Sequence, residues 1–125
     1  MALAFPSHAN ITMEELRNII IWDSGAGDHN FNDLKWFDKY EAFDKPTTIL
    51  TANGPGIRLG KGKVRLLTAD DKGGPTELAF DDAYYTPNTP LNMISAGKLK
   101  SHIRFDPERE TLVHKATGRI ITKAE

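Results

Sequence analysis

"IIIWDSGAGDHNF", residues 19–31, decides how this chain is read. Three isoleucines and a tryptophan form a short, β-branched apolar run, which predicts a buried strand over residues 19–22. Asp23 follows at once. A carboxylate at the end of an apolar strand is costly unless something compensates it. Small residues come next: Ser24, Gly25, Ala26 and Gly27. Taken alone, Asp-Ser-Gly reads as an Asx turn that ends the strand. What surrounds it decides whether it is more than that.

The chain has 125 residues, enough for one core but not for two lobes around a deep cleft. Apolar residues make up 39% and charged residues 26%, as in ordinary globular proteins. The net charge is −1, so no global field favours nucleic acid or an anionic membrane, and neither is expected as a partner. There is no cysteine, which excludes disulfides, a thiolate nucleophile and cysteine-based zinc sites. No run approaches the roughly 18–20 apolar residues of a membrane span. Residues 1–18 lack a basic segment followed by a sustained apolar one, so they are expected to be a flexible leader rather than a signal peptide.

Beyond the opening strand, Asn32 as a cap and the spacing of Leu34, Phe37 and Tyr40 predict a short helix within residues 30–40. Residues 47–52 read as a strand ended by Asn53-Gly54. Glycines at 54, 56, 60 and 62, followed by alternating apolar residues, predict a glycine-rich hairpin feeding a strand through Leu67. Residues 70–75, "DDKGGP", are a turn signal. Strands are expected over 76–80 and 83–86, and "TPNTP" is a rigid extended connection. Leu91–Ile94 ends a strand, and Ser95 caps a short helix over 96–101. Three short strands follow, over 103–105, 111–114 and 119–122. The chain therefore reads as all-β with one or two short helices.

Several catalytic readings fail on spacing. A phosphate loop ending at Gly62-Lys63 has Ile57 where its first glycine belongs and Val64 where its hydroxyl belongs. A dinucleotide fingerprint from Gly54 needs a small residue at Leu59, and the context is strand to strand. His8, His29, His102 and His114 show no ligand spacing, so surface histidines are the default and no metal site is expected. Ser24 does not sit in a G-x-S-x-G elbow. Asp33, Asp38, Glu41 and Asp44, interleaved with lysines, read as a solvated helix face. Asp70, Asp71, Asp81 and Asp82 read as turn residues.

The order of four blocks resembles a retropepsin, the half-size aspartic protease of retroviruses and retrotransposons, and more narrowly the protease of copia-type retrotransposon polyproteins. The blocks are Trp22-Asp23-Ser24-Gly25-Ala26 with His29 behind; Thr51-Ala52-Asn53-Gly54 before "IRLGKGKVRL"; "DDAYYTPNTPLNMISAGKL"; and the tail "HKATGRII". They run from residue 19 to 121. The resemblance implies a closed, retropepsin-like β-barrel domain over residues 19–105 that forms a two-fold homodimer. Residues 106–125 then extend the domain or begin the next polyprotein region. It departs from the usual pattern at Trp22, where a smaller aliphatic is common, and at Ser95-Ala96, where glycine usually follows the apolar pair.

The resemblance also implies a chemistry: an intracellular, cytoplasmic aspartic endopeptidase of a virus-like particle, without cofactor, acting on its own polyprotein. Only one Asp-Ser-Gly is present, so each protomer contributes one Asp23 to a proton-sharing dyad. One carboxylate activates water as general base, and the other polarises the scissile carbonyl. Asp23, Ser24 and Gly25 form the catalytic turn, with Gly25 allowing close backbone approach and Ser24 hydrogen-bonding across the axis. Ala26 offers the dyad no hydroxyl, which implies a pH optimum in the mildly acidic to neutral range. The hairpin over 53–62 is the expected flap. Asn53, Gly54, Gly56, Ile57, Leu59, Pro90 and Leu91, with Ala26, are the expected substrate-binding residues. The alternative is a retropepsin-like domain of weak or no catalysis, kept as a dimeric binding or assembly module.

Overall fold

A computed structural model describes residues 12–51 and 54–123. Nine strands and two short helices follow in order: α1 (Met13–Leu16), β1 (Ile20–Asp23), β2 (His29–Phe31), β3 (Phe37–Thr51), β4 (Gly54–Ala69), β5 (Pro75–Tyr85), β6 (Asn92–Ser95), α2 (Ala96–Leu99), β7 (Ile103–Asp106), β8 (Thr111–His114) and β9 (Ile120–Lys123). The all-β reading holds. Six strands form one curled, half-barrel sheet in the order β1-β6-β2-β5-β4-β3. The last three form a second sheet in the order β7-β8-β9.

The first sheet is tied together across long sequence distances. β1 runs parallel to β6, pairing Trp22 with Ile94 and Asp23 with Ser95. β2 runs parallel to β5 and antiparallel to β6. The amide of Asn92 donates to the carbonyls of Arg17 (2.9 Å) and Ile19 (3.1 Å), and its oxygen accepts the Asn32 N–H (2.8 Å). Burying such groups costs little when each is paired. The Arg17 guanidinium donates to the carbonyls of Asn32 (2.8 Å) and Pro87 (3.1 Å). The end of the expected flexible leader is therefore anchored to the body at Arg17; residues 1–11 lie outside the described residues.

The core joins both sheets. Ile20, Trp22, Phe31, Val64, Leu66, Leu78, Phe80, Ala83 and Ile94 pack in one cluster with Ile103, Leu112 and Ile121. Residues 106–123 thus share the core. The Arg119 guanidinium also donates to the Pro75 carbonyl (3.1 Å).

Four sequence expectations need correction. No helix spans residues 30–40. Asp33 caps a single 3-10 turn over Leu34–Trp36, accepting the Lys35 N–H at 2.9 Å, and β3 starts at Phe37. A bulge between Phe37 and Lys39 brings two positions three apart to one face, so the Phe37 and Tyr40 rings meet at 5.5 Å. A bulge thereby mimics helical spacing. The acidic residues Asp38, Glu41 and Asp44 lie on the exposed sheet-edge strand β3, not on a helix.

The hairpin over 53–62 is also redrawn. β4 is continuous from Gly54, and the β3–β4 reversal falls at residues 51–54. Gly60 and Gly62 are not turn glycines. A Cβ at Gly60 would strike the Tyr40 hydroxyl and the Glu41 carbonyl; one at Gly62 would strike the Lys39 carbonyl. Glycine is what lets the bulged β3 lie this close to its antiparallel neighbour β4. Strands 76–80 and 83–86 are one strand, β5, with Asp81 and Asp82 in a bulge where Asp82 takes φ 56°. Phe80 and Ala83, three apart, are both buried as a result.

Candidate active site

β1 alternates buried and half-buried residues, so Trp22 points into the core at 8% exposure while Asp23 points out of it. Alternation along the strand puts the bulk of Trp22 on the other side from the carboxylate. Ser24 and Gly25 are exposed. The Gly25 N–H donates to Asp23 Oδ1 at 2.7 Å, which fixes the carboxylate in an Asx turn. A Cβ on Gly25 would stand 3.3 Å from that oxygen.

The loop after this turn is held from three sides. Ser95, at the end of β6, donates its hydroxyl to the Ala26 carbonyl (2.7 Å) and its backbone N–H to His29 Nδ1 (2.9 Å). Its hydroxyl oxygen also accepts the Lys98 N–H at 3.3 Å, making Ser95 the expected cap of α2. Asp28 bridges Arg58 on β4 (3.1 Å) and Lys98 on α2 (2.9 Å). The Arg58 guanidinium also lies 3.9 Å over the Tyr84 ring. Hydrogen bonding to Lys98, reinforced by Arg58, holds the Asp28 carboxyl below its usual range against the opposing effect of burial.

The other expected substrate residues distribute unevenly. Gly54 opens β4 at φ 105°, Gly56 is buried opposite Ile49, and Leu59 is half-buried. Ile57 is 43% exposed, on the face of β4 opposite Arg58. The Ile57 N–H donates to Asn88 Oδ1 at 3.1 Å, bringing this arm against the connection that carries Pro90 and Leu91, both half-buried. Asn53 lies outside the described residues. Sequence reasoning missed Asp28, Arg58 and Lys98. Nothing local marks ion pairs formed across such separations.

His29 contradicts the surface default: it is 1% exposed, with its ring 4.3 Å from Phe80. Burial, and then the charge of Lys98, push its pKa down to about 4, against opposing pulls from Asp28 and Asp82. His102 is exposed and His114 half-buried. Among the described residues no group of three or more His, Cys, Asp or Glu gathers as a metal cluster. No helix among them is long and apolar enough to cross a membrane.

A depressed histidine pKa has a defined consequence for stability. Above about pH 6.5 both folded and unfolded His29 are neutral. Below it the unfolded chain binds a proton that the fold excludes, so stability falls between about pH 6.5 and 4. The expected loss from pH 7 to pH 5 is on the order of 1–2 kcal/mol after solvent screening. Urea unfolding at the two pH values measures it. The His29→Leu variant should show a smaller drop than the wild type; an equal drop in both would rule His29 out as the source.

Fold and site together define a small all-β domain with one outward-facing aspartate turn at the end of an edge strand. The family model for the Pol polyprotein β-barrel domain matches residues 20–103, and the chain belongs to that family. This is a region of retrotransposon or retroviral Pol polyproteins. No curated protein and no solved structure matches the chain.

Proposed function

We propose that the domain is an aspartic endopeptidase that processes its own Pol-type polyprotein as a homodimer. The observation that carries this reading is Asp23. Its carboxylate is turned out of the core and fixed by the Gly25 N–H, in an exposed turn at the end of the half-barrel sheet. Among the described residues β1 pairs with β6 and ends the six-stranded sheet, which puts the Asp23 turn at the margin of that sheet. Two such turns meeting about a two-fold axis bring two Asp23 carboxylates together. They share a proton; one activates water and the other polarises the peptide carbonyl. The residues around Ala26, Gly54–Leu59 and Pro90-Leu91 then border an extended peptide.

The same Asx turn also suits a domain that binds or assembles without cleaving. One experiment separates the two. Sedimentation equilibrium gives the oligomeric state, and the same samples are incubated with precursor polyprotein and a peptide library from pH 4 to 8. The expected result is a dimer that cleaves, with a maximum at mildly acidic to neutral pH. A dimer without cleavage at any pH favours the assembly module. A monomer at high concentration removes both dimeric readings.

A further inference from the structure

Two features of the chain have no role in the chemistry above: the buried His29, and a serine at position 95 where retropepsin-like sequences usually carry glycine. They form one unit. Ser95 is the direct parallel neighbour of Asp23 in the β1–β6 ladder. Its backbone N–H donates to His29 Nδ1, and its hydroxyl donates to the Ala26 carbonyl. The chain therefore closes a circuit around Asp23, from β1 through the turn to Ala26, back to Ser95, and from Ser95 to β2 at His29.

We infer that His29 and Ser95 are positioning residues that set the orientation of the Asp23 turn through this circuit. The inference rests on the protease reading for its kinetic consequence only. A backbone N–H is an unambiguous donor, so His29 Nδ1 must present its lone pair, and the imidazole is neutral with its proton on Nε2. The ring has little freedom, since it is buried against Phe80 on a strand whose backbone is held in register with Ala83. His29 thus fixes where β6 ends. From there the Ser95 hydroxyl reaches Ala26, and a glycine at 95 has no atom to do so. Small displacements of a reacting group are expensive in rate, so a hold on the loop three residues beyond the carboxylate matters. Lys98, Asp28 and Asp82 are the charged groups acting on the imidazole.

Three variants separate positioning from packing. His29→Leu keeps an apolar side chain on Phe80 and loses the acceptor. His29→Asn restores an acceptor near the Nδ1 position. Ser95→Ala removes only the hydroxyl. Nitrogen-15 NMR of the wild type is expected to show Nε2 protonated and Nδ1 unprotonated. The Gly25 amide resonance, which reports the bond to Asp23, is expected to move in His29→Leu and in Ser95→Ala, and to return toward wild type in His29→Asn. In the dimeric enzyme, kcat is expected to fall about tenfold or more in the first two with KM little changed. Proton on Nδ1, or an unmoved Gly25 amide in folded Ser95→Ala, overturns the inference. A shifted Gly25 amide in a protein that cleaves nothing upholds the positioning and rejects the protease reading. Shifted amides with unchanged kcat overturn it for catalysis.

Discussion

On the protease reading, Asp23→Asn is expected to lower the cleavage rate by about 10²- to 10⁴-fold, without loss of fold or of dimer mass. The substitution isolates charge from structure. Asp23 Oδ1 accepts the Gly25 N–H, and an asparagine amide oxygen in its place also accepts it, more weakly, so the turn survives. What is lost is a carboxylate able to take a proton from water. The dyad also makes a sharper demand. A heterodimer of one wild-type and one Asp23→Asn protomer has a single carboxylate, so it should be nearly as slow as the double variant. Co-expression of two differently tagged chains, followed by tandem purification, yields that species. Half of the wild-type rate in the heterodimer would mean two independent sites, and an unimpaired homodimeric variant would sink the protease reading altogether.

Phe31→Ala is expected to cost about 3–5 kcal/mol, a large part of the roughly 5–15 kcal/mol that holds a small domain together. Phe31 is fully buried on β2, and its ring meets those of Trp36 (6.2 Å), Phe37 (6.5 Å) and Phe80 (5.8 Å). The neighbours come from two parts of the chain, the 3-10 turn running into β3 and the middle of β5, so the void has no single flexible segment to fill it. The backbone carbonyl of the same residue accepts the Thr86 N–H at 2.8 Å, and a collapse around the void would strain that bond as well. Leu67→Ala is the control. Leu67 is 79% exposed on β4, and its loss should move the unfolding midpoint by no more than about 0.5 kcal/mol equivalent. Equal effects at the two positions would mean that the apolar cluster is not what stabilises the fold.

The elements that sequence reading found share one property: their signals are local. The Asx turn at Asp23, the cap at Ser95, the "DDKGGP" turn and the three short C-terminal strands are each written within a few neighbouring residues. There Asp70 Oδ1 does accept the N–H groups of Lys72 (2.9 Å) and Gly74 (2.7 Å). The long β3–β4 ribbon was hidden because bulges break the period of two. Phe37 and Tyr40 then imitate a helix, and Gly60 and Gly62 imitate a turn although they mark a close approach of two paired strands. The surroundings of Asp23 were hidden for another reason. Asp28 meets Arg58 and Lys98, and Ser95 meets His29, across separations at which residue types alone specify no partner. Trp22, the departure noted beside Asp23, does not crowd the carboxylate, because adjacent side chains leave a strand in opposite directions.

The parallel pairing of β1 with β6 sets a clock on this domain. A ribosome delivers Asp23 early, yet the strand that carries it has no described sheet neighbour until Ser95 has emerged. Non-local parallel pairing is slow to form, because the intervening chain must first be gathered in. The aspartate turn is therefore completed late in synthesis, after the β3–β4 ribbon has had time to zip. On the protease reading, that delay would keep a nascent polyprotein whole until the downstream half of the domain has been made.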